Sequence, residues 1–423
     1  MAELDLFSKR PIQTDIEDVN YVYYYPLVNP TNNSGPIEFF IPGNSLYYLD
    51  LYDTSLGIHV KVKNGTDDLA ADVNIAPVNN WLHSLFSDVS LTLNDTLVEG
   101  GNHLYPYKAY LTNLLLYGDM AKKCQLQTSG WAKDESGKMK DATNSGFVTR
   151  KAWISTSKTY EMEGPLLLDL FMQRKFLLPQ VDMRIKLTRS HNTFNLISLG
   201  DNAVKGSVDI SKAYIKVKQV QVAPDRVRQL ESGMGLQNAI YPIQRTEMCT
   251  YTISKGIQSH IQENLFQSRR PKLLVLGMLP NSEYNGTYES NPFRFPHLNL
   301  NYIGVYIDGK SVPQIPLQPN FADGDFVEVY RNLYRLVDMA NRDGDISITK
   351  NEFVNGYTLH CYILSPDGKP YGNMGQPLQN GNIRIELKFK AALTNAINVI
   401  CMACYDDEVQ ISRLRQVTVD YRN

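Results

Sequence analysis

From Ile383 to Lys390 apolar and charged residues strictly alternate: Ile383, Ile385, Leu387 and Phe389 against Arg384, Glu386, Lys388 and Lys390. Only a strand puts successive side chains on opposite faces, so this segment can bury one side and wet the other as β-structure and not as helix. The pattern recurs at Ile58–Lys63 before Asn64-Gly65, at Val89–Leu93 before Asn94-Asp95, and at Ile303–Ile307 before Asp308-Gly309. Val181–Leu187 follows the same rule. Asn-Gly and Asp-Gly pairs tolerate the left-handed backbone of tight hairpins, so each run is expected to enter a hairpin or loop. Ile397–Cys404 is apolar on both faces and is expected to be a central, fully covered strand. The apolar phase slips between Ile215, Val217 and Val220, Val222, which predicts a β-bulge near Lys218-Gln219. With 26 Tyr, 27 Gly and 21 Pro in 423 residues, strand and turn formers dominate, and the fold class is all-β.

Two stretches have helical spacing. Tyr107, Tyr110, Leu111, Leu114 and Leu115 predict a helix from about Pro106 to Tyr117, laid over a sheet edge or end. Phe326, Val329, Tyr330, Leu333, Tyr334 and Val337 predict a second to about Met339, with Asp323 or Asp325 as N-cap. Leu166–Phe176 is ambiguous. Strand, turn and helix thus recur in one order, and the strand at Val181 has a counterpart at Ile383, roughly 200 residues on. The spacing predicts two tandem jelly-roll sandwiches, each with a helix in a long connection. The expected divisions are an N-terminal arm over 1–20, a first jelly roll over 21–225, a linker over 226–245 and a second jelly roll over 246–423.

The chemistry-bearing motifs are sparse. Lys+Arg 42 against Asp+Glu 44 excludes a polycationic coat held by phosphate neutralisation. No run approaches the ~20 apolar residues of a membrane helix, and the first residues lack the order of a signal peptide. Five cysteines are too few for a disulfide framework and are expected as free thiols. Cys401-Met-Ala-Cys404 has zinc or redox spacing, but in a strand residues three apart point to opposite faces. Asn341–Glu352 fills several positions of a calcium loop yet carries Ile346 where the sharp turn needs glycine, and reads as a solvated acidic turn. The seven histidines are scattered, and Arg269-Arg270-Pro-Lys272 reads as a solvated edge. No catalytic, cofactor-binding or metal-binding residue is assigned, and no enzymatic activity is expected.

Four blocks are more specific in their order. They are Glu38–Leu51 around Pro42-Gly-Asn-Ser, Asn79–Val98 with Asn80-Trp-Leu-His83, Tyr105–Leu115, and Asn291-Pro-Phe293-Arg-Phe295-Pro-His297 followed by Ile303–Pro313. In order and spacing they resemble the double-jelly-roll major capsid proteins of Polinton (Maverick) elements, adintoviruses and virophages. The resemblance spans about residues 20–420. It implies a hexon-like structural protein, active as a homotrimer in pseudo-hexameric capsomers that tile an icosahedral shell. It also implies capsomer–capsomer contacts, a minor penton capsid protein as partner, and a place in the virion after assembly inside the host cell. Sequence-specific nucleic-acid binding is not expected. The Met1–Asp18 arm is expected to reach under the capsomer and tie neighbours together. Alternatives from the residues alone are a tandem jelly-roll protein that binds or cleaves glycans, and a calcium-regulated module resting on Asn341–Glu352.

Overall fold

The computed structural model describes residues 12–31, 35–200, 202–266, 269–369 and 379–419. The first half contributes strands β1 (Ile16–Tyr24), β2 (Ile37–Ile41), β3 (Tyr47–Asn64), β4 (Phe86–Leu93), β5 (Thr96–Glu99), β6 (Tyr160–Pro165), β7 (Met183–Arg189) and β8 (Gly206–Val222). They form antiparallel sheets in the orders β1-β8-β3-β6 and β2-β7-β4-β5. The second half contributes β9 (Ala239–Ile253), β10 (Ser259–Leu265), β11 (Leu273–Pro280), β12 (Leu300–Ile307), β13 (Lys310–Ser311), β14 (Leu359–Ile363), β15 (Ile383–Phe389) and β16 (Ile397–Ile411). Their orders are β9-β16-β11-β14 and β10-β15-β12-β13. Adding eight to each label of the first half gives the second, so one eight-stranded jelly roll occurs twice in the chain. Short strands Asp67–Asp68, Ile75–Pro77, Leu196–Ser198 and Val417–Val419 extend this frame.

The alternating segments sit where their pattern demands. Ile383, Ile385, Leu387 and Phe389 are buried, while Arg384 and Lys388 lie over the rings of Tyr306 and Tyr302 on the other face. Asn94 and Asp95 (φ 43° and 65°) turn β4 into β5, and Asp308 and Gly309 (φ 50° and 79°) turn β12 into β13. These are the positive angles a two-residue hairpin requires. β16 lies between β9 and β11, and Ile397–Tyr405 is buried throughout.

Four expectations need correction. The irregularity in β8 falls at Val217, between the pairs Lys216↔Ser55 and Lys218↔Asp50, and the extra residues belong to the partner strand β3. There Leu51–Thr54 leaves the ladder, and the Thr54 hydroxyl donates to the Asp50 carbonyl. The arm boundary at residue 20 is too late, because β1 already pairs at Ile16↔Val222; residues 1–11 lie outside the described residues. Residues 226–245 are no featureless linker. Helix α3 (Pro224–Met234) begins with Pro at its first turn, where a missing N–H costs nothing, and β9 is paired from Ala239. Neither Asp323 nor Asp325 caps the helix α4 (Val327–Leu336): the N-cap is Phe326, whose ring packs on Phe321 and Phe353.

The largest departure concerns helix α1 (Tyr105–Leu116), which buries every residue except Thr112 and Leu116. Tyr105 and Ala109 join the first core, whereas Tyr107, Tyr110, Leu111, Leu114 and Leu115 join the core of the second half. It lies between two sandwiches and not over an edge, as a helix buried on nearly every side must. α4 holds the corresponding place in chain order but is one-sided, burying Val329, Leu333 and Leu336 against β14, whereas α1 packs on β4. Another helix, α2 (Ser145–Ile154), packs on Ile75–Pro77 and was not anticipated. Its N-cap Asn144 accepts from the Gly146 N–H, but its single buried stripe is interrupted by the buried Arg150.

Leu387→Asp is expected to abolish folding. An unpaired charge on the buried face of β15 costs several kcal/mol against a total stability of about 5–15 kcal/mol. Circular dichroism and solubility of the variant check this; a normal thermal transition would show the face to be misassigned.

Candidate functional site

The seam between the two halves concentrates the polar chemistry of the molecule. Asp134, on the loop before α2, is 2% exposed and central to it. Its Oδ1 accepts from Arg150 Nη2 at 2.6 Å and Asn144 Nδ2 at 2.8 Å, and its Oδ2 from Asn291 Nδ2 at 2.9 Å. The Tyr357 hydroxyl donates to its carbonyl at 2.6 Å. Arg150 also donates to the carbonyls of Pro77 (2.7 Å) and Ala132. A carboxylate of the first half is thereby satisfied by side chains of both. Beside it Phe293 stacks on Tyr110, centroids 4.1 Å apart, and Tyr110 in turn stacks on Trp131.

Three further buried charges join the halves. Glu283, with no exposed surface, receives Arg294 and Lys140, the latter at 2.6 Å. Lys108 of α1 donates to Glu99 and, at 2.6 Å, to Asp169, whose other oxygen accepts from the Thr246 N–H of β9. Burial, then the Asp169 charge, pushes the Glu99 carboxyl up to about 7. Lys122 donates to the carbonyls of Leu114 (2.7 Å) and Ile346 (2.5 Å). Burial, and then the Lys133 ammonium, lower it to about 7, against smaller opposing effects of Asp345, Asp119 and Glu352.

This arrangement removes the ligands of the supposed calcium loop. Ile346 is buried, the Ile346 and Ser347 carbonyls face the ammoniums of Lys122 and Lys133, and Glu352 accepts from Lys133 at 2.6 Å. Glu352 also closes a capping box with Thr349 on the short helix Lys350–Val354, an element the sequence reading did not admit. Among the described residues no group of three or more His, Cys, Asp or Glu could hold a metal ion. Cys361, Cys401 and Cys404 are buried free thiols, and burial raises all three. His83 is held at about 3 by burial, with Nδ1 2.9 Å from the Tyr105 hydroxyl; His360 is held at about 4, and His297 stacks on Phe321. The basic run is engaged internally: Arg269 with Glu247, Arg270 with the Leu364 carbonyl, Lys272 with Asp406. What the seam can do is hold two sandwiches in one fixed relation.

A second surface faces solvent. β1 is the outer strand of its sheet, and Tyr21, Tyr23, Tyr25, Leu27 and Val28 on and just after it are exposed. An aromatic strand edge of this kind is a template for contact with another chain. Among the described residues no helix is long and apolar enough to cross a membrane.

No protein-family model matches the chain. An uncharacterized Caenorhabditis elegans protein is 26% identical over 413 residues, covering 93% of this chain and 95% of the relative. Among solved structures, a chain of the Sputnik virophage superposes with a TM-score of 0.65 at 13% identity, over 100% of this chain and 93% of that one. The PBCV-1 virus capsid gives 0.62 at 10% identity, over 99% and 100%. The mavirus major capsid protein gives 0.58 at 14%, over 99% and 92%. The fold is the double jelly roll of these capsid proteins.

Two outcomes are expected at the seam. Asp134→Ala leaves Arg150 buried and unpaired and should cost about 3–5 kcal/mol in denaturant unfolding. Joint replacement by Asp134→Leu and Arg150→Met should cost clearly less than the two single losses summed. The second concerns pH. Unfolded Lys122 keeps its proton to about pH 10.4, but the folded residue only to about 7. Between these values the unfolded chain binds more protons, so this group makes stability rise with pH. Chemical denaturation at pH 7 and 9 should show the rise, smaller in Lys122→Met.

Proposed function

We propose that this chain is a major capsid protein that self-associates as a homotrimer and forms pseudo-hexameric capsomers of an icosahedral shell. The carrying observation is the jelly roll repeated within one chain and superposable, over nearly its whole length, on virophage and PBCV-1 capsid chains. Three chains with two sandwiches each give six, the outline a shell needs for most of its tiles. Each chain then offers different surfaces to its two neighbours, a heterologous contact closed as a ring. The exposed aromatic edge at β1 supports the reading, and a formal charge of −2 leaves little repulsion between adjacent copies.

In this reading the molecule is a structural component of the virion without catalytic role, and a minor penton protein fills the five-fold vertices. The division into domains follows the sheets: a first sandwich closing at Val222, a connection through α3, and a second opening at Ala239.

Sedimentation is expected to give a trimer of about 144 kDa, three times the 48.0 kDa chain. A protein that stays monomeric at tens of micromolar overturns the proposal. Tyr25→Lys with Leu27→Lys should leave the thermal transition of the chain within about 1 kcal/mol, as expected for exposed positions, and weaken trimer formation at least ~10-fold by analogy with charges placed in an apolar contact.

A further inference from the structure

Cys249 of β9 and Cys401 of β16 stand directly opposite each other in an antiparallel ladder that runs from Ala239↔Ile411 to Ile253↔Ile397 without a register shift. Opposed residues in such a ladder have Cα atoms about 4.5 or 5.5 Å apart and side chains on one face. Both spacings fall inside the ~4.4–6.8 Å that a disulfide spans. Side chains do meet across this ladder: Cys404 faces Thr246, with Sγ 3.8 Å from Oγ1. Residues three apart in a strand point to opposite faces, so Cys404 is turned away from Cys401. The sulfur within reach of Cys401 is that of Cys249, not its neighbour in the C-x-x-C run. Burial, and then the Cys249 thiol, raises the Cys401 thiol, as a close pair should. Both are free thiols in this structure.

We propose that Cys249 and Cys401 are a modification site, forming a cross-strand disulfide when the folded chain meets a small-molecule disulfide such as oxidised glutathione, and that this bond locks β9 onto β16. Exposure sets the order of events. β9 is the outer strand of its sheet and Cys249 is half-buried, whereas Cys401 has no exposed surface. The Cys249 thiolate attacks one sulfur of oxidised glutathione, the S–S bond breaks, and one glutathione leaves as its thiol. The Cys401 thiolate then attacks the Cys249 sulfur, and the second glutathione leaves. The two protein thiols have given up two electrons and two protons, and the small disulfide has taken up both. Thiolate is scarce at a buried cysteine, so the second step is the slow one. The strand so fixed also ties the two halves together. The Thr246 N–H donates to Asp169 and Arg245 Nη1 to the Val98 carbonyl at 3.3 Å. An outer strand, bonded on one side only, is where a sheet opens first, and opening of β9 would release those contacts. The bond also closes residues 250–400 into a loop, which restricts the unfolded chain. The inference concerns one chain and does not depend on the assembly reading.

The test uses the Cys124→Ser chain, which removes the exposed thiol and leaves the pair untouched. Folded protein is incubated with oxidised glutathione, remaining thiols are alkylated, and peptides are mapped by mass spectrometry without reduction. The expected product is a peptide pair linked through Cys249 and Cys401, formed with an unchanged circular dichroism spectrum. Its thermal midpoint should exceed that of the reduced chain by roughly 5 °C or more, given the length of loop closed. Adding Cys401→Ser should stop the reaction at a glutathione adduct on Cys249. Should that variant misfold, the mapping on the unaltered pair still decides. A Cys401–Cys404 link, an adduct that stays on Cys249 with Cys401 present, or thiols that react only after unfolding each overturns the proposal. A linked chain whose midpoint is not raised overturns the lock.

Discussion

Everything in this molecule depends on a helix that has almost no side for water. α1 presents Tyr105 and Ala109 to one core and Tyr107, Tyr110, Leu111, Leu114 and Leu115 to the other. A helix buried at all but two positions, with Lys108 and Asn113 paired inside, must be covered on nearly every side, so the first sandwich cannot complete its own structure without the second. The same seam holds Asp134, Glu283 and Lys122, each desolvated and each satisfied by groups contributed from both halves. Parting the halves would expose the aromatic stack and leave these charges without partners, and both changes are costly. The two jelly rolls are therefore halves of one folding body.

The strands were legible because their determinants are local. Alternation at Ile383–Phe389 needs only the pleat to place four apolar residues on one face, and Asn94-Asp95 or Asp308-Gly309 needs only a positive φ. The slip in β8 was legible and nearly in place, but the strand that carries the extra residues was not. A change of phase shows that two strands fall out of step without showing which carries the extra residues, and here they belong to β3. α3 was missed because its apolar stripe is only three residues long, Val227, Leu230 and Met234, and none of its residues is fully buried. α1 was found with the right spacing and the wrong surroundings, since periodicity reports that a stripe is buried and not what buries it.

The seam was illegible for a related reason. Asp134 and Tyr357, or Lys122 and Ile346, are more than two hundred residues apart, and nothing in the local pattern of either member announces the other. Nothing in the sequence separates Lys122 from its neighbour Lys123, yet the first lies in the interior and the second in solvent. The block Asn291-Pro-Phe293-Arg-Phe295 did stand out, and it supplies the ring that stacks on Tyr110 and the amide that meets Asp134. Its visibility came from resemblance; its physical role needed the third dimension. The calcium-like loop shows the converse. Its spacing was local and already spoiled by Ile346 in the glycine position, and the carbonyls it offers are occupied by lysines from the other half.

Duplication alone would give two equivalent sandwiches, and their helices show how equivalence was broken. α1 and α4 follow the same hairpin in their respective halves. α4 has a wet face and covers β14 of its own sandwich, whereas α1 has almost none and reaches the sister core. Two identical units in contact through the same patch would be related by a two-fold axis and would stop there. With the helix one-sided in one half and two-sided in the other, contact runs in a single direction, from first sandwich to second. A directed join leaves the outer surfaces of the two halves free and different. That is the geometric condition for further copies to add around a ring instead of ending at a closed pair.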